Sequence, residues 1–543
     1  MCLLSQGNKV EAGKKKRDYH HQFCYIPTYM VVITNNMTDA FDLNYLFINQ
    51  LAFTFNKYIS SSSSNIPKSS ISNTAKQCLD YMKQYEIIHP IAETLIDYLS
   101  KEDRLQSDYS TQWIESTRLM NNSYLEQARE EIKQVLETSM QSLHTNKAEK
   151  LFSKIRRAIA ITIVQTSYDV GLSLLNNYVA VVDISTQPKT KERLVSNSYV
   201  EYLFYQYVLH IFSLIWFPSY DNEFHRYNLS QRQFPGRYET KTNVTSNSFK
   251  TLDQIYSKAI NYYQKNELLF GQYDNETRYF WAIKLFNLSL LFKQFKLCEF
   301  YDQFIGFFLI EKEPLNFLVD DLQMLLSNLL VIFGITTIFL KPFNELTLMK
   351  LDKDDALIDL FTDVPESLEF QLYNSVMIPL AKCQFKQVIV QLQNETFVAE
   401  LAAQLEYNLP VPFRNSSGTN SSSLINYMAS IIDYKNFFVI LTSSRQISRL
   451  QMLESMGHDT TDDRSATKLT NDLIGVIVAL DLQKYGIYYD ANNQMFVNNE
   501  TTKDSNADDV AKLQENIDDL KNELRAESLA TKMTGLLLDK YYR

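Results

Sequence analysis

Apolar residues recur at the spacing of an α-helix along most of this chain, and patterns typical of β-strands are scarce between Asp42 and Leu450. The stretch from Trp113 to Ala128 is representative, because its apolar and aromatic residues repeat at helical intervals. The predicted helices come in pairs separated by short polar turns. Since such pairs cannot bury their apolar faces alone, we predict that they stack into an α-solenoid of the tetratricopeptide type, in which each repeat contacts only the next.

The pairing is clearest in the middle of the chain. Helices are predicted at Ile155 to Val170, Leu172 to Val182, Leu252 to Tyr263, Tyr279 to Phe292 and Phe295 to Phe308. Polar, low-complexity insertions between helices are predicted to be surface loops. They are Ser60 to Ser64, Arg226 to Phe249, Asn415 to Ser423 and Asp459 to Thr467.

The stretch from Met324 to Leu340 carries no charge over 17 residues. It is at the short limit for crossing a bilayer, and it contains Asn328, Thr336 and Thr337. We therefore predict a buried helix here.

The end of this helical region differs, because an apolar helix runs into a small hairpin. Helices are predicted at Gln446 to Met456 and Lys468 to Leu482, followed by strands at Ile487 to Tyr489 and Gln494 to Val497. Asp490 to Asn493 forms the turn between the strands, since Asp and Asn tolerate positive φ. Two helices followed by such a hairpin predict a winged helix, a unit that binds either DNA or protein.

Charge disfavours DNA as the partner of this unit. A DNA-reading helix presents Arg, Lys, Asn or Gln, yet the only charge between Leu473 and Leu482 is Asp481. The chain has a formal net charge of −10. Its one obvious basic cluster, Lys14 to Arg17, is either a solvated tail or an import or docking signal.

A protein partner fits the apolar character of the unit better, and part of its apolar surface is predicted to contact a neighbouring subunit. The alternative is that all of these side chains belong to the domain's own core. The candidate interaction residues are Leu473, Ile474, Ile477, Leu480, Ile487, Tyr489 and Val497.

A polar linker follows the hairpin, and after it apolar residues alternate at spacings of three and four, which is the pattern of a helix that packs against another helix. Such a helix needs a partner in this chain or in another. The positions are Val510, Leu513, Ile517, Leu520 and Leu524, of which the last four are further candidate interaction residues.

The sequence gives no sign of catalysis, and we predict no cofactor and no metal site. The seven histidines form neither His-x-His nor His-Glu-x-x-His, and the 12 glycines form no phosphate-binding loop. Five cysteines, far apart and odd in number, suit neither a disulfide framework nor a zinc site. They indicate buried thiols in a reducing compartment, and no secretory signal is predicted at the N-terminus.

Three segments resemble the PCI family, which builds the proteasome lid, the COP9 signalosome and the core of translation initiation factor 3. The resemblance is to the branch of the first signalosome subunit and its proteasome-lid counterpart. The segments are Trp113 to Ile132 with the following Ile155, Arg156, Gly171 and Tyr178; Leu318 to Leu346 with Asp359 to Ile389; and Leu473 to Val497.

The resemblance implies a mainly α protein with four parts. They are a polar and basic N-terminal segment at 1–41, a helical-repeat domain at 42–310, a PCI domain at 311–499 with a winged helix at about 424–499, and a C-terminal bundle helix at 509–540. It also implies a non-catalytic scaffold of a COP9 signalosome-like complex, which regulates cullin-RING ubiquitin ligases by deneddylation. Its implied partners are other PCI subunits, a metalloprotease subunit and cullin-RING ligases, in the cytoplasm and nucleus.

Two alternatives stay open. The first is a proteasome-lid or initiation factor 3 type of PCI subunit, which would share the fold but belong to another complex. The second is a PCI protein of the messenger-RNA export type that binds nucleic acid, for which a basic strip beside the wing is expected.

Overall fold

The structure is a computed structural model of the chain. It describes residues 42–60, 66–102, 109–138, 145–185, 199–213, 240–266, 275–307, 322–346, 361, 367–410, 413–415, 418–419, 421–460 and 463–499. These residues are mainly helical, which confirms the predicted fold class. The basic run at Lys14 and the heptad positions Leu513, Ile517, Leu520 and Leu524 lie outside the described residues.

The first part of the chain forms helices that pack largely in chain order. Their bounds are α1 Phe47–Ser60, α2 Lys68–Tyr85, α3 Ala92–Lys101, α4 Thr111–Thr138, α5 Thr145–Val164, α6 Tyr168–Ser185, α7 Tyr199–Ile211, α8 Thr240–Asn266, α9 Asn275–Lys293 and α10 Leu297–Ile305. Helix α2 lies between α1 and α3, α5 lies between α4 and α6, and α7 packs against α6, α8 and α9.

The division between α5 and α6 falls at residues 165–167, so the predicted break at Gly171 is wrong. Helix α5 ends because Thr166 adopts the left-handed conformation with φ 60°. The Ser167 N–H then donates to the Thr162 carbonyl at 2.8 Å. Gly171 lies inside α6, where an added Cβ would meet the Thr162 hydroxyl at 2.6 Å. Its role is therefore close helix packing.

Among the described residues before 421, the same turn closes four helices. Glu86, Thr166, Phe295 and Cys383 all have φ between 54° and 60°. In each case the next N–H bonds to the carbonyl five residues before it, as in Lys296 to Leu291 at 3.0 Å. Helix ends of this type usually place glycine at the left-handed position. The turn is thus repeated in structure without a repeated glycine in the sequence.

The next helices surround a central apolar one. They are α11 Gln323–Leu340, α12 Leu368–Leu372, a π-helical segment Tyr373–Met377, α13 Ile378–Ala381, α14 Phe385–Gln393 and α15 Glu395–Tyr407. In α11 the side chains from Leu329 to Phe339 are all buried, which confirms the predicted interior helix. None of the described helices is long and apolar enough to cross a membrane.

Helix α1 contacts α15 although they are far apart in the chain. The rings of Phe53 and Tyr407 lie 5.9 Å apart. Asn328 of α11 joins both helices, since its amide donates to Gln50 at 2.9 Å and accepts from Gln404 at 2.9 Å. The expectation that each repeat contacts only the next is wrong here, because a helix that is apolar all round has to be enclosed on every side. We call α1 to α15 the helical array.

The terminal unit, residues 421–499, combines helices with a small sheet. Its elements are α16 Ser421–Ser443, β3 Gln446–Ser448, α17 Arg449–Ser455, α18 Asp463–Ala479, a 3-10 turn Leu482–Tyr485, β4 Ile487–Asp490 and β5 Met495–Asn498. The strands are antiparallel in the order β3, β5, β4, with Ile447 and Tyr489 both opposite Phe496. A separate two-residue hairpin precedes the unit, with β1 at Arg414–Asn415 and β2 at Gly418–Thr419.

Several predicted boundaries need correction. Gln446 to Ser448 is a strand and not the start of a helix, because three residues are too few to show a period. Helix α18 begins at Asp463, so the predicted loop to Thr467 is helical from Asp463 onward. Helix α8 begins at Thr240, ahead of the predicted loop end at Phe249, and β1, β2 and the start of α16 occupy part of the predicted loop at 415–423.

Candidate protein-interaction surface

The core of the terminal unit is small and aromatic. Phe496 is fully buried on the middle strand. Its ring lies 5.2 Å from Phe437 of α16 and 4.8 Å from Tyr489 of β4. Asn498 closes the sheet against α16, since its side-chain amide donates to the Leu441 carbonyl at 3.1 Å. These contacts set the positions of the two strands relative to the helices.

Local caps and turns shape the unit. Ser448 begins α17, and its hydroxyl accepts from the Gln451 N–H at 3.3 Å. Gly486 has φ 80°, and a Cβ there would lie 3.2 Å from Asn499, so both the backbone conformation and the space favour glycine. At the hairpin turn Asp490 accepts from the Asn493 side chain at 2.7 Å. Hydrogen bonds from Asn493 and Asn492 hold the pKa of Asp490 below its usual value.

Several contacts join the terminal unit to the helical array, among them the ring of Tyr427, which lies 5.4 Å from that of Phe339. Gly457 has φ 91°, and a Cβ there would lie 2.8 Å from the Lys386 backbone, which places the end of α17 directly on α14. Lys435 of α16 donates to two carbonyls at the end of α11, to that of Lys341 at 2.7 Å and to that of Ile338. Burial lowers the pKa of Lys435 to about 7. The end of α17 and a side chain of α16 therefore both contact the array.

The structure divides the predicted interaction residues into two groups. Leu473, Ile477 and Val497 are at most 4% exposed, so their side chains serve the unit's own core. Ile474, Leu480, Ile487 and Tyr489 are partly buried and pack against that core. The contact with a neighbouring subunit stays a prediction for this second group.

Exposed apolar residues outside the list of candidate interaction residues lie in the same unit. Five of the nine large hydrophobic residues that the described chain exposes belong to it. They are Val439, Leu450, Val478, Tyr485 and Tyr488. Val478 is 60% exposed on α18, and Tyr488 is 38% exposed on the edge strand β4. Alternation along β4 could have identified Tyr488, since its neighbours Ile487 and Tyr489 point toward the core.

The outward face of α18 runs along Arg464, Lys468, Asn471, Gly475 and Val478, all exposed. The sequence did not predict the first turn of this face, because the predicted helix begins at Lys468. Charges on this half of the helix are mixed, since Asp463 and Asp472 accompany the two cations. An open groove of about 560 Å³ lies here, lined by Asp463, Arg464, Thr467, Lys468, Asn471 and Asp472.

The other notable polar cluster lies inside the helical array. Arg156 of α5 donates to both carboxylate oxygens of Glu201, at 2.5 and 3.0 Å. Tyr279 of α9 donates to the same carboxylate at 2.9 Å, while Glu276 accepts from the Val200 N–H at 2.8 Å. Burial raises the pKa of Glu276 to about 8. The cluster therefore fastens α5, α7 and α9 together.

Within the described ranges, no group of three or more His, Cys, Asp or Glu side chains could hold a metal ion. Glu201 is only 3% exposed, so substrate has no access to its carboxylate. The cluster is suited to holding helices, whereas the terminal unit presents apolar side chains to the outside.

Comparison with models of protein families and with curated proteins finds no match to this chain.

Proposed function

We propose that the chain is a non-catalytic scaffold subunit of a PCI complex, most specifically of a COP9 signalosome-like complex that regulates cullin-RING ligases by deneddylation. In this proposal the terminal unit is a winged helix that packs beside the corresponding units of other subunits. The helical array holds further partners, and residues 509–540 join them in a helical bundle. The partners include a metalloprotease subunit, and the complex works in cytoplasm and nucleus.

The observation that carries the proposal is the concentration of exposed apolar side chains on the terminal unit. Val478, Tyr485 and Tyr488 follow one another from the end of α18 to the edge strand β4. Aromatic residues and large apolar groups of this kind are enriched where proteins bind one another. The element order helix, strand, two helices and two strands supports a winged helix for the unit. Family resemblance supplies the identity of the complex, so that part of the argument is by analogy.

The decisive experiment is affinity purification of the tagged protein from its own cells, followed by mass spectrometry and a cullin-neddylation blot of the deletion strain. Recovery of PCI subunits and a metalloprotease, with accumulation of neddylated cullin, is expected. Recovery of proteasome-lid or ribosome-associated factors with normal cullin would move the chain to another PCI complex.

A matched pair of variants tests the surface within the same experiment. Val478→Asp should release the partners that bind the terminal unit, whereas Val390→Asp should retain them, because both valines are 60% exposed but Val390 lies on α14 of the array. Equal recovery with the two variants would show that the terminal unit is not the binding surface.

One observation favours the nucleic-acid alternative, namely that Arg464, Lys468 and Asn471 lie on the outward face of α18. Asp463 and Asp472 offset these charges, and Asp463 pairs with Arg449 at 3.1 Å. Titration of the protein with labelled single-stranded RNA at several salt concentrations tests this candidate. Binding that weakens with salt and is lost in Arg464→Glu would favour it over the scaffold.

A further inference from the structure

Three aromatic rings surround the ammonium group of Lys284 in the helical array. Its Nζ atom lies over all three, at 4.4 Å from the ring centroid of Trp281, 4.8 Å from that of Phe307 and 5.0 Å from that of Phe280. Phe280 and Trp281 lie one turn before Lys284 on α9, and Phe307 follows two residues after the end of α10. We call these three rings the aromatic cage.

The number of rings distinguishes this contact from the others of its kind. Between residues that the structure describes, seven other lysines and arginines lie over an aromatic ring, at 4.7 to 6.0 Å from its centroid. Each of those contacts involves one ring. Three converging rings therefore exceed what the chain uses elsewhere to hold a cation in place.

The walls of the aromatic cage are held by contacts that do not involve Lys284. Phe280 is buried, and its ring stacks on that of Tyr263 of α8 at 3.8 Å with an angle of 9° between the planes. Phe307 is also buried, and it meets the ring of Trp281 edge to face, at 6.1 Å and 90°. Edge-to-face and stacked pairs are favourable arrangements of aromatic rings. We therefore expect the rings to keep their positions when the Lys284 side chain leaves.

The aromatic cage is open to solvent on one side. Trp281 and Lys284 are partly exposed, whereas the other two rings are buried. The four-carbon stem of a lysine is flexible, and its ammonium group is strongly hydrated in water. Lys284 can therefore rotate outward and leave room for another cation without separation of the helices.

The spacing of the rings suits a methylated ammonium group. A methyl carbon lies about 1.5 Å from its nitrogen, and it packs at about 3.5 Å from ring carbons. The nitrogen of a trimethylammonium group therefore lies about 5 Å from a ring that one methyl faces, and closer to a ring that faces the gap between methyls. The distances of 4.4 to 5.0 Å agree with this size. Aromatic faces also attract such a cation through their quadrupole.

We propose that the aromatic cage binds a quaternary ammonium group, of a small molecule or of a trimethyllysine side chain, and that Lys284 occupies the cage in the free chain. Lys284 then competes with the ligand, and it weakens the apparent affinity according to the fraction of molecules in which it fills the cage. The cage belongs to the helical array, so this proposal does not depend on the terminal unit or on membership in a PCI complex.

Choline binding to the purified full-length chain, labelled with fluorotryptophan, tests the site. The chain has three tryptophans, and fluorine NMR should show a choline-dependent shift of one signal, the one that Trp281→Phe removes. Lys284→Ala vacates the cage and should bind choline about tenfold more tightly than the wild type. Lys284→Arg keeps a cation there and should bind as weakly as the wild type. Lys341→Ala is the matched control, because Lys341 lies over the single ring of Tyr301 at 4.7 Å, and its choline affinity should equal that of the wild type.

A neutral isostere of choline, in which carbon replaces the nitrogen, separates charge from shape. It should bind Lys284→Ala about tenfold more weakly than choline. Equal binding of the two compounds would overturn the cation site, and so would the absence of a Trp281 shift in both the wild type and Lys284→Ala. Choline affinity that survives in Lys284→Ala combined with Trp281→Leu, measured by calorimetry, would also overturn it. The wild type allows the same comparison of choline with its isostere at higher concentration, so the test does not depend on the folding of one variant.

A peptide distinguishes the two sources of the ligand. If a trimethyllysine peptide binds Lys284→Ala more tightly than choline does, and the same peptide with unmodified lysine does not, the ligand is a methylated protein. If the trimethyllysine peptide binds more weakly than choline, the ligand is a free quaternary ammonium compound.

Discussion

The helical array and the terminal unit place their polar and apolar side chains in opposite ways. Most buried polar residues belong to the array, and the terminal unit buries only Asn436, Thr470 and Asn498 among its described residues. The unit instead exposes five of the nine exposed large hydrophobic residues, in a much shorter stretch of chain.

The difference shows what each region needs. Helix pairs with similar apolar faces can stack in several registers, and a buried pair such as Arg156 and Glu201 is satisfied in only one of them. Specific polar contacts therefore determine which helix packs on which. The terminal unit has a small core around Phe496 that its sheet already orders, and its apolar exterior is free to bind another helix or protein.

The largest loss of stability is expected from removing one partner of the Arg156 and Glu201 pair in the helical array. Glu201→Ala leaves the Arg156 guanidinium, whose side chain is 30% exposed, without its carboxylate. We expect a loss of about 3 kcal/mol in the free energy of unfolding, measured by denaturant titration. Glu93→Ala removes an exposed Arg–Glu pair at 2.9 Å and should cost less than about 1 kcal/mol.

A double variant separates the cost of leaving one charge unpaired from the contribution of the ion pair itself. Arg156→Met combined with Glu201→Leu should recover most of the loss, because no charge then stays buried. A Glu201 variant no less stable than the Glu93 variant would contradict the assigned role of the cluster.

The next largest loss of stability is expected at Gly457, where the terminal unit contacts the helical array. Gly457→Ala combines positive φ with a Cβ that would lie 2.8 Å from the Lys386 backbone, so we expect a loss of about 2 kcal/mol. Gly475→Ala is the control, because this helical glycine faces open space and alanine there should stabilise by up to about 1 kcal/mol. Thermal unfolding of both variants measures the contrast. Similar melting temperatures for the two would show that the Gly457 contact does not hold the unit in place.

The pH dependence of stability tests the interior of the array. Burial raises the pKa of Glu276 from 4.5 to about 8, so the folded chain binds more protons than the unfolded chain between these values. Its contribution to stability must fall as pH rises through this window. Glu276→Gln keeps an acceptor for the Val200 N–H and cannot ionise. Relative to the wild type it should gain on the order of 2 kcal/mol between pH 5 and pH 8.

Denaturant titration at pH 5, 6, 7 and 8 follows this gain, and Glu93→Gln serves as the exposed control. Parallel curves for Glu276→Gln and the wild type would mean that the carboxyl is already ionised in the fold at pH 5.

Patterns along the sequence predicted the helical class, the interior helix from Met324 to Leu340 and the two hairpin strands after α18 to within a residue. These features depend on periodicity, which is local. The Arg156 and Glu201 contact joins helices 45 residues apart, and only the fold brings them together. A single acid within the apolar helix α7 was the one available signal. Strand β3 was missed because it is short, although Ser448 and Gln451 form a capping-box pattern that marks the start of α17.

The repeated turn in the array was hidden for another reason. Its left-handed position holds Glu86, Thr166, Phe295 or Cys383 in place of glycine, so no consensus appears in the letters. The terminal unit has Gly457 and Gly486 at positive φ, where glycine is easily recognised, but it also has Asp481 and Gln494 there. Several helices of one chain can therefore end in the same backbone turn while the residue that adopts the left-handed conformation varies.

The smallest effect on stability is expected from relieving the backbone strain at one of these turns. Thr166 is β-branched and has φ 60°, a conformation in which its Cβ crowds the following carbonyl. Thr166→Gly removes this strain but adds freedom to the unfolded chain, and the net gain in unfolding free energy should be about 1 kcal/mol or less. Thr166→Ala retains the Cβ and should change stability much less. If glycine destabilised the chain, Thr166 would contribute contacts that outweigh its backbone strain, and the array would depend on side chains even at its turns.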